Sequence, residues 1–363
     1  MRLLISGGGT GGHIYPAVVV ARELRAQEVS SFLFVGDASG VEAQLVPREG
    51  LPFQGITTAT LLGSPLWRVP GQTGRVVLGI SQARRIVDEF KPQAILATGG
   101  YVCFPAVVAG WLRGVPSLLY LPDIMPGLAV RALAPIASRV ALSFAESKGY
   151  FAPQKSVVTG YPVRQEIVTL DKATAREELG ISLEEKLLLV LGGSRGAHKI
   201  NLAVSQTLPK LLKICRVIHI GGYEDERWLE EETERLPKQL QERYRIHAYL
   251  HEEMPWALAA ADLALSRAGA STLGEFPAAG LPSILVPYPY AAGHQERNAN
   301  YMVESGAAVE IKDADLEVSL LPVVERFFAD EEVLAQMARA ARGLAQPEAA
   351  HRMVKELRAL IDD

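Results

Sequence analysis

The 363-residue chain has only two cysteines. Cys103 and Cys215 lie far apart and have no Cys or His partner at metal-ligand spacing, which argues against a disulfide framework and a structural zinc site. Long apolar runs are missing as well. Tyr101 to Leu112 falls short of the roughly 18 residues of a membrane span, and Leu281 to Tyr290 is cut by Pro282, Pro287 and Pro289. The opening Met-Arg-Leu-Leu-Ile-Ser-Gly meets glycine too early for a secretory signal and reads as a first strand, so a cytoplasmic protein, soluble or peripheral, is expected. There is no dense basic run, zinc-finger spacing or aromatic-basic RNA motif, so nucleic acid is not an expected partner. No short-period repeat is present either.

What is present is apolar substance and alternation. Hydrophobic residues make up 48% of the chain, ample for two cores on a prior of roughly 150 residues per domain. Charge divides unevenly: residues 1–163 carry 14 Lys and Arg against 9 Asp and Glu, and the remainder 23 against 32. A basic first half suits an anionic membrane surface or an anionic substrate. Strands are expected at Leu3–Ser6, Phe32–Val35, Ala94–Ala97 and Ser117–Leu121, with helices at Pro16–Leu24, Gly74–Phe90 and Pro105–Leu112 between them. The pattern weakens near Gly160 and restarts with strands at Leu187–Leu191, Arg216–Ile220, Arg245–Ala248, Leu263–Ser266 and Ser283–Val286. Such alternation predicts two tandem α/β units with parallel sheets. The tail from Glu331 to Ile361 reads as helical.

Ligands of parallel sheets gather at the carboxyl ends of the strands. Thr10, His13, Thr98, Gly99, Gly100, Tyr101 and Asp123 all fall there. Gly7-Gly-Gly-Thr-Gly-Gly-His13 satisfies the dinucleotide pattern G-x-G-x-x-G, and Asp37 ends the next strand, as in a nicotinamide site. Two features oppose a dehydrogenase: a second glycine loop at Gly192–Ala197, and a ribose-type carboxylate, Glu275, in the second unit. There the strand ending at Ser266 leads through Gly269 to a helix that Ser271 and Thr272 can cap. Free N–H groups at that helix start suit a phosphate, and Glu275 one turn in can accept two hydrogen bonds from a ribose diol. An ordinary capped helix with a solvated Glu would read the same way. His13 is a side chain suited to general acid–base work and follows six residues of Gly and Thr with no core face to serve, which favours a catalytic role.

Two further stretches stand out. Leu61, Leu62, Leu66, Trp67, Val69, Val76 and Val77 lie beside Arg68 and Arg75, with Arg84 and Arg85 following; the mixture suits a lipid interface, or a loop tucked onto the core. Asp313-Ala-Asp315 looks like a metal-binding carboxylate pair, but its place before an apolar helix favours capping.

Six motifs occur in the order and spacing of the MurG-type transferases: Gly7–His13, Gly99-Gly-Tyr-Val102, Gly160-Tyr-Pro-Val-Arg164, Gly192–Ala197, Arg267–Glu275 and His294-Gln-Glu-Arg-Asn-Ala299. The chain resembles this family along nearly its whole length. The resemblance implies a GT-B fold, two Rossmann-like domains with parallel sheets facing a cleft, and an inverting, metal-independent N-acetylglucosaminyl transfer in peptidoglycan synthesis, with no cofactor. It implies an acceptor- and membrane-facing domain at 1–163, a UDP-sugar domain at 164–340, and a C-terminal helix at 341–363 packing back on the first. Donor contacts implied are Ser194, Leu250 (uracil, through its backbone), Ala270, Ser271, Thr272, Leu273, Gly274 and Glu275, with His294, Gln295 and Asn298 at the sugar and Arg164 near the diphosphate. Thr10, Gly11, Gly12, His13 and Tyr101 are implied at the acceptor. An inverting transfer needs a base for the acceptor hydroxyl, and His13 is the candidate, with Asp123 second. The implied partners are UDP-N-acetylglucosamine, the lipid I acceptor, an anionic membrane surface at the cytoplasmic face and other cell-wall synthesis proteins.

One segment departs from the family. Where it commonly has His-Glu-Gln-Asn, this chain has Tyr120-Leu-Pro-Asp123, and Asp123 accepts hydrogen bonds but cannot donate as Asn does. A UDP-sugar epimerase of the same fold and a non-catalytic nucleotide-sugar-binding relative therefore stand as alternatives.

Overall fold

The computed structural model describes residues 1–59, 69–193, 196–291 and 293–362. The chain divides into two compact units, Met1–Val163 with Glu348–Asp363, and Arg164–Pro347. The first is built on β1 (Arg2–Ser6), β2 (Ser31–Asp37), β3 (Phe53–Ile56), β4 (Ala94–Ala97), β5 (Ser117–Leu121), β6 (Arg139–Leu142) and β7 (Ser156–Val158), in the order β3-β2-β1-β4-β5-β6-β7. The second is built on β8 (Leu187–Leu191), β9 (Arg216–Ile220), β10 (Tyr244–His247), β11 (Leu263–Ser266), β12 (Ser283–Leu285) and β13 (Ala308–Glu310), in the order β10-β9-β8-β11-β12-β13. Every strand pairing is parallel.

Parallel strands covered by helices on both faces become continuous apolar runs, and the central strands obey this. All of Ala94–Ala97, Ser117–Leu121 and Leu263–Ser266 is buried. The second core packs Leu188, Val190, Leu263 and Leu265 against Ile200, Val204, Leu211, Phe327 and Phe328. Each such side chain contributes about 1.5–3 kcal/mol on full burial. In the first unit, Leu119, Leu121, Val140 and Leu142 pack with Cys103 and Val107, and Leu4, Val35 and Ile95 with Ile86 and Val87. Both cysteines are buried core thiols whose pKa burial raises to about 12.

The sequence pattern left out β3, β6 and β7. Each is four residues or fewer, β3 contains Gly55 and an exposed Gln54, and β6 begins with Arg139, so none carries a clean apolar run. The helical tail is two helices, Glu331–Gly343 and Ala349–Asp362, interrupted where Pro347 has no N–H to give. The last helix packs on the Gly11–Gln27 helix of the first unit. Arg352 Nε donates to Thr159 O at 2.7 Å and Arg139 pairs with Glu356 at 2.5 Å.

Strand order reverses between β1 and β4, and again between β8 and β11. At those two points neighbouring connections leave in opposite directions and open a crevice at the carboxyl ends of the strands.

Candidate functional site

In the first unit the crevice collects the Gly7–Gly12 loop after β1 and the Thr98–Tyr101 turn after β4. The helix begins earlier than its apolar pattern suggests, so Gly11, Gly12 and His13 form its first turn, with Thr10 as an extended N-cap that makes no side-chain cap. His13 is held from several sides. Thr98 Oγ1 donates to the His13 carbonyl at 2.6 Å, and Tyr161 OH donates to Gly12 O at 3.3 Å. The imidazole lies so close to Gly99 that a Cβ there would come within 2.8 Å of Cδ2. Nδ1 is 3.1 Å from Gly8 O and 3.4 Å from Thr10 Oγ1. Because a carbonyl only accepts, Nδ1 carries a proton, which in the neutral imidazole leaves the lone pair on Nε2. Among the described residues, Nε2 has no hydrogen-bond partner. That is the tautomer a general base needs.

Tyr101 stands exposed at the rim. Asp123 follows β5 and is partly buried. Around it the departure from the family is absorbed by the core: Leu121 is buried in β5, and Tyr120 is fully buried with its hydroxyl 2.7 Å from Ser143 Oγ. Asp37 is not open to a ribose. Thr58 and Ser39 hydroxyls and the Ser39 N–H all donate to its carboxylate. Burial pushes its pKa up, but these bonds and the Arg75 charge outweigh burial and hold it below the usual value.

In the second unit the crevice collects the Gly192–Ala197 loop after β8 and the Arg267–Gly269 turn after β11. Ser194 lies outside the described residues. Gly196 has φ +77, and a Cβ there would sit 2.3 Å from Gly221 O, so the loop requires glycine. Gly221 O is itself held by Asn201 Nδ2 at 2.8 Å. Asn201 Oδ1 faces His219 Nε2 at 2.9 Å, and Tyr244 OH is 2.7 Å from Nδ1. Burial pulls the His219 pKa down to about 3, so this buried brace is neutral.

The helix after β11 spans Ala270–Ala279, with Gly269 as extended N-cap and no side-chain cap. Ser271 and Thr272 are inside the first turn and do not cap it; Thr272 Oγ1 instead donates back to Arg267 O at 3.0 Å. Gly269 has no side chain to cap this helix start, and a helix N-terminus of this kind suits an anion. By contrast, the helices at Lys172–Leu179 and Glu331–Gly343 are capped by Asp171 and Asp330. Leu273 and Gly274 are buried behind the turn. Glu275 Oε1 lies 4.0 Å from Arg164 Nη2. Burial raises the Glu275 carboxyl above its usual range, and the Arg164 charge pulls against that. Arg164 Nη1 also donates to His251 O at 2.8 Å, and Ala248 N–H donates to Glu226 Oε1 at 2.9 Å. These two bonds anchor the segment carrying Leu250 on either side.

His294 opens the helix His294–Glu304 behind Gly293, again without a side-chain cap. Gln295 Oε1 accepts from Tyr288 N–H at 2.9 Å, which orients its amide. Asn298 is fully buried, and Nδ2 donates to Ala268 O at 3.0 Å. This bond braces the Arg267–Gly269 turn from beneath.

Of the Asp313-Ala-Asp315 pair, Asp315 takes the N-cap position of the helix Leu316–Ala329 without a side-chain cap bond, and Asp313 is turned to other partners. Its carboxylate meets Arg267 Nη1 at 2.5 Å and Lys199 Nζ at 3.1 Å, tying the turn after β11 to the helix behind the glycine loop. Burial raises its pKa, but the bonds from Arg267 and Lys199 outweigh burial and hold it below the ordinary value. Arg267 and Lys199 are separated from Asp313 by 46 and 114 positions, so local spacing carries no signal of this cluster. Glu42 was also outside the sequence reading; it is fully buried beneath the first glycine loop.

The glycosyltransferase family 28 N-terminal domain matches residues 3–142 and the C-terminal domain of that family residues 187–353. Curated relatives match over nearly the full length. One from Roseiflexus sp. (strain RS-1) is 41% identical over 99% of this chain and 95% of its own, and one from Desulforamulus reducens is 40% identical over 98% and 97%. Both are named UDP-N-acetylglucosamine–N-acetylmuramyl-(pentapeptide) pyrophosphoryl-undecaprenol N-acetylglucosamine transferase. Among solved structures, Acinetobacter baumannii MurG aligns with TM-score 0.72 at 25% identity, covering 99% of each chain. A UDP-GlcNAc 2-epimerase from Neisseria meningitidis, bound to UDP-GlcNAc, aligns with TM-score 0.70 at 15% identity over 99% of this chain and 100% of that one. With two parallel α/β units and these relatives, the fold is GT-B. The chain belongs to glycosyltransferase family 28, among the MurG-type UDP-N-acetylglucosamine–N-acetylmuramyl-(pentapeptide) pyrophosphoryl-undecaprenol N-acetylglucosamine transferases.

Proposed function

We propose that this chain transfers N-acetylglucosamine from UDP-N-acetylglucosamine to the 4-hydroxyl of undecaprenyl-pyrophosphoryl-N-acetylmuramyl-pentapeptide, with inversion and without a metal ion. The observation that carries the reading is near-full-length identity of about 40% to transferases of that name, joined to a crevice in each unit. The first unit takes the acceptor and the second the donor. His13 Nε2 accepts the proton of the acceptor hydroxyl as its oxygen attacks the anomeric carbon. A new C1–O bond forms, and the bond from C1 to the β-phosphate oxygen breaks on the opposite face. UDP departs with the bonding electrons. N–H groups of the Gly192–Ala197 loop and the uncapped Ala270 helix start, together with Arg164, supply stabilisation to the leaving diphosphate. Glu275 accepts from the ribose diol, Leu250 meets the uracil through its backbone, and His294 and Gln295 face the sugar.

The membrane-facing assignment rests on the first unit. Val77 and Leu78 are exposed on one helix, and Trp111 and Leu112 at the end of another that packs on it, with exposed Arg75, Arg84, Arg85 and Arg113 nearby in the chain, the last paired with Asp88. Apolar side chains among arginines suit an anionic lipid interface. Leu61, Leu62, Leu66, Trp67 and Arg68, expected to share this contact, lie outside the described residues. No described helix is long and apolar enough to cross a membrane, so attachment at the cytoplasmic face would be peripheral.

The test is transfer of labelled N-acetylglucosamine to a short-chain lipid-linked muramyl-pentapeptide in EDTA. Labelled disaccharide with an inverted anomeric centre is expected. No product in EDTA or in added magnesium, with UDP-N-acetylglucosamine still bound, would overturn the reading. Epimerised UDP-sugar in the absence of acceptor would replace it with an epimerase.

A further inference from the structure

Glu42 sits in the first turn of the helix Glu42–Arg48 and exposes nothing to solvent. Its enclosure is made by three glycines. A Cβ at Gly8, Gly36 or Gly40 would come within 2.6 Å of its side chain, closer than real contacts allow. Burying a carboxylate is expensive unless it is hydrogen-bonded, and this one accepts two bonds: Asp37 N–H to Oε1 at 2.9 Å and Gly9 N–H to Oε2 at 3.1 Å.

The second bond leads to the reacting group. The N–H of Gly9 and the C=O of Gly8 belong to one peptide unit, which is planar and trans, so fixing one end fixes the other. The far end is the carbonyl that accepts from His13 Nδ1 at 3.1 Å. A peptide between two glycines has no side chain to resist rotation about its flanking bonds, and Gly9 already sits at φ +83. Left alone, that peptide could turn its N–H toward His13 and demand the opposite tautomer. The carboxylate forbids it.

We propose that Glu42 is a positioning residue for the transfer: through the Gly8–Gly9 peptide it holds His13 in the Nδ1–H tautomer, with Nε2 unprotonated and open. Carboxylate, peptide and imidazole form a relay in which each hydrogen bond polarises the next. The inference rests on His13 as the base, and its test separates the two.

The experiment uses the full chain labelled with ¹⁵N-histidine, observed without substrate. Of seven histidines, the His13 signal is the one lost in His13→Ala. In the native protein it should report the Nδ1–H tautomer. In Glu42→Gln, which keeps the shape but offers one acceptor oxygen and a clashing NH₂, it should move to a mixture of tautomers. Turnover should fall at least tenfold while UDP-N-acetylglucosamine affinity holds. In the His13→Ala background, Glu42→Gln should cost nothing further. A folded Glu42→Gln with an unchanged His13 signal, or an additive loss in the double variant, overturns the proposal. If Glu42→Gln does not fold, Glu42→Asp withdraws the carboxylate by one methylene, and an unaltered His13 signal there overturns it equally. Full turnover in His13→Ala would instead remove His13 as base, while the spectrum still reports whether Glu42 sets its tautomer.

Discussion

Arg267 Nη1 lies 2.5 Å from Asp313 Oδ1, and the same arginine also donates to Val286 O at 3.1 Å. The turn after β11 is thus pinned from below by a carboxylate that also holds Lys199. Asp313→Ala should destabilise the second unit by about 1.5–3 kcal/mol, the range for hydrogen bonds to charged groups, and weaken UDP-N-acetylglucosamine binding. The pKa of Asp313 is depressed on folding, so its contribution is present above the unfolded carboxylate range and is lost as pH falls through the folded value. Urea melts of the native protein and the variant should therefore converge in acid. A gap that persists at low pH would assign the loss to packing.

His13→Ala should lower turnover by roughly 10²–10⁴-fold, the usual worth of a positioned general base. UDP binding, measured by calorimetry, should hardly change, because every uridine contact proposed lies in the second unit. Equal loss of both would make His13 structural.

Glu275 must be ionised to accept from a ribose diol with both oxygens. Burial raises its pKa, so the acceptor form is lost on acidification sooner than for an ordinary carboxylate. UDP affinity should weaken as pH falls, beginning above the usual range of Glu near pH ~4.3. Glu275→Gln should bind more weakly at neutral pH and lose that dependence. A variant that titrates like the native protein would move the effect elsewhere.

Changing Val77, Leu78, Trp111 and Leu112 to Ser should reduce binding to anionic vesicles without touching UDP affinity. The arginines beside them predict that salt weakens native binding as well, since exposed charges are screened within about 10 Å at 0.1 M. Undiminished flotation with vesicles would remove this patch as the contact.

The sequence made strands such as Ala94–Ala97 and Leu187–Leu191 legible because strands buried on both faces must be apolar throughout. It hid β7 because three residues cannot carry a period. The glycine loops were legible as crowding: Gly196 admits no side chain beside Gly221 O. Asp313 was misread because capping is a local rule, whereas its partners Arg267 and Lys199 arrive through sheet topology. The bond from Asn298 to the turn after β11 was hidden for a related reason. Its motif marks where it sits in the chain, and only packing shows that its amide faces Ala268 O. Two of the walls around Glu42, Gly36 and Gly40, are close to it in the chain, but the third, Gly8, comes from another connection.

The helix Ala349–Asp362 belongs to the first unit although it follows the whole of the second in the chain. During synthesis, at roughly 5–20 residues per second, everything from Arg164 to Pro347 must emerge before that helix can cover the Gly11–Gln27 helix. For on the order of ten seconds or more the nascent first unit presents an uncovered apolar face. That interval is the natural window for a chaperone or for premature association, and it closes only when Met353, Val354 and Leu357 are buried.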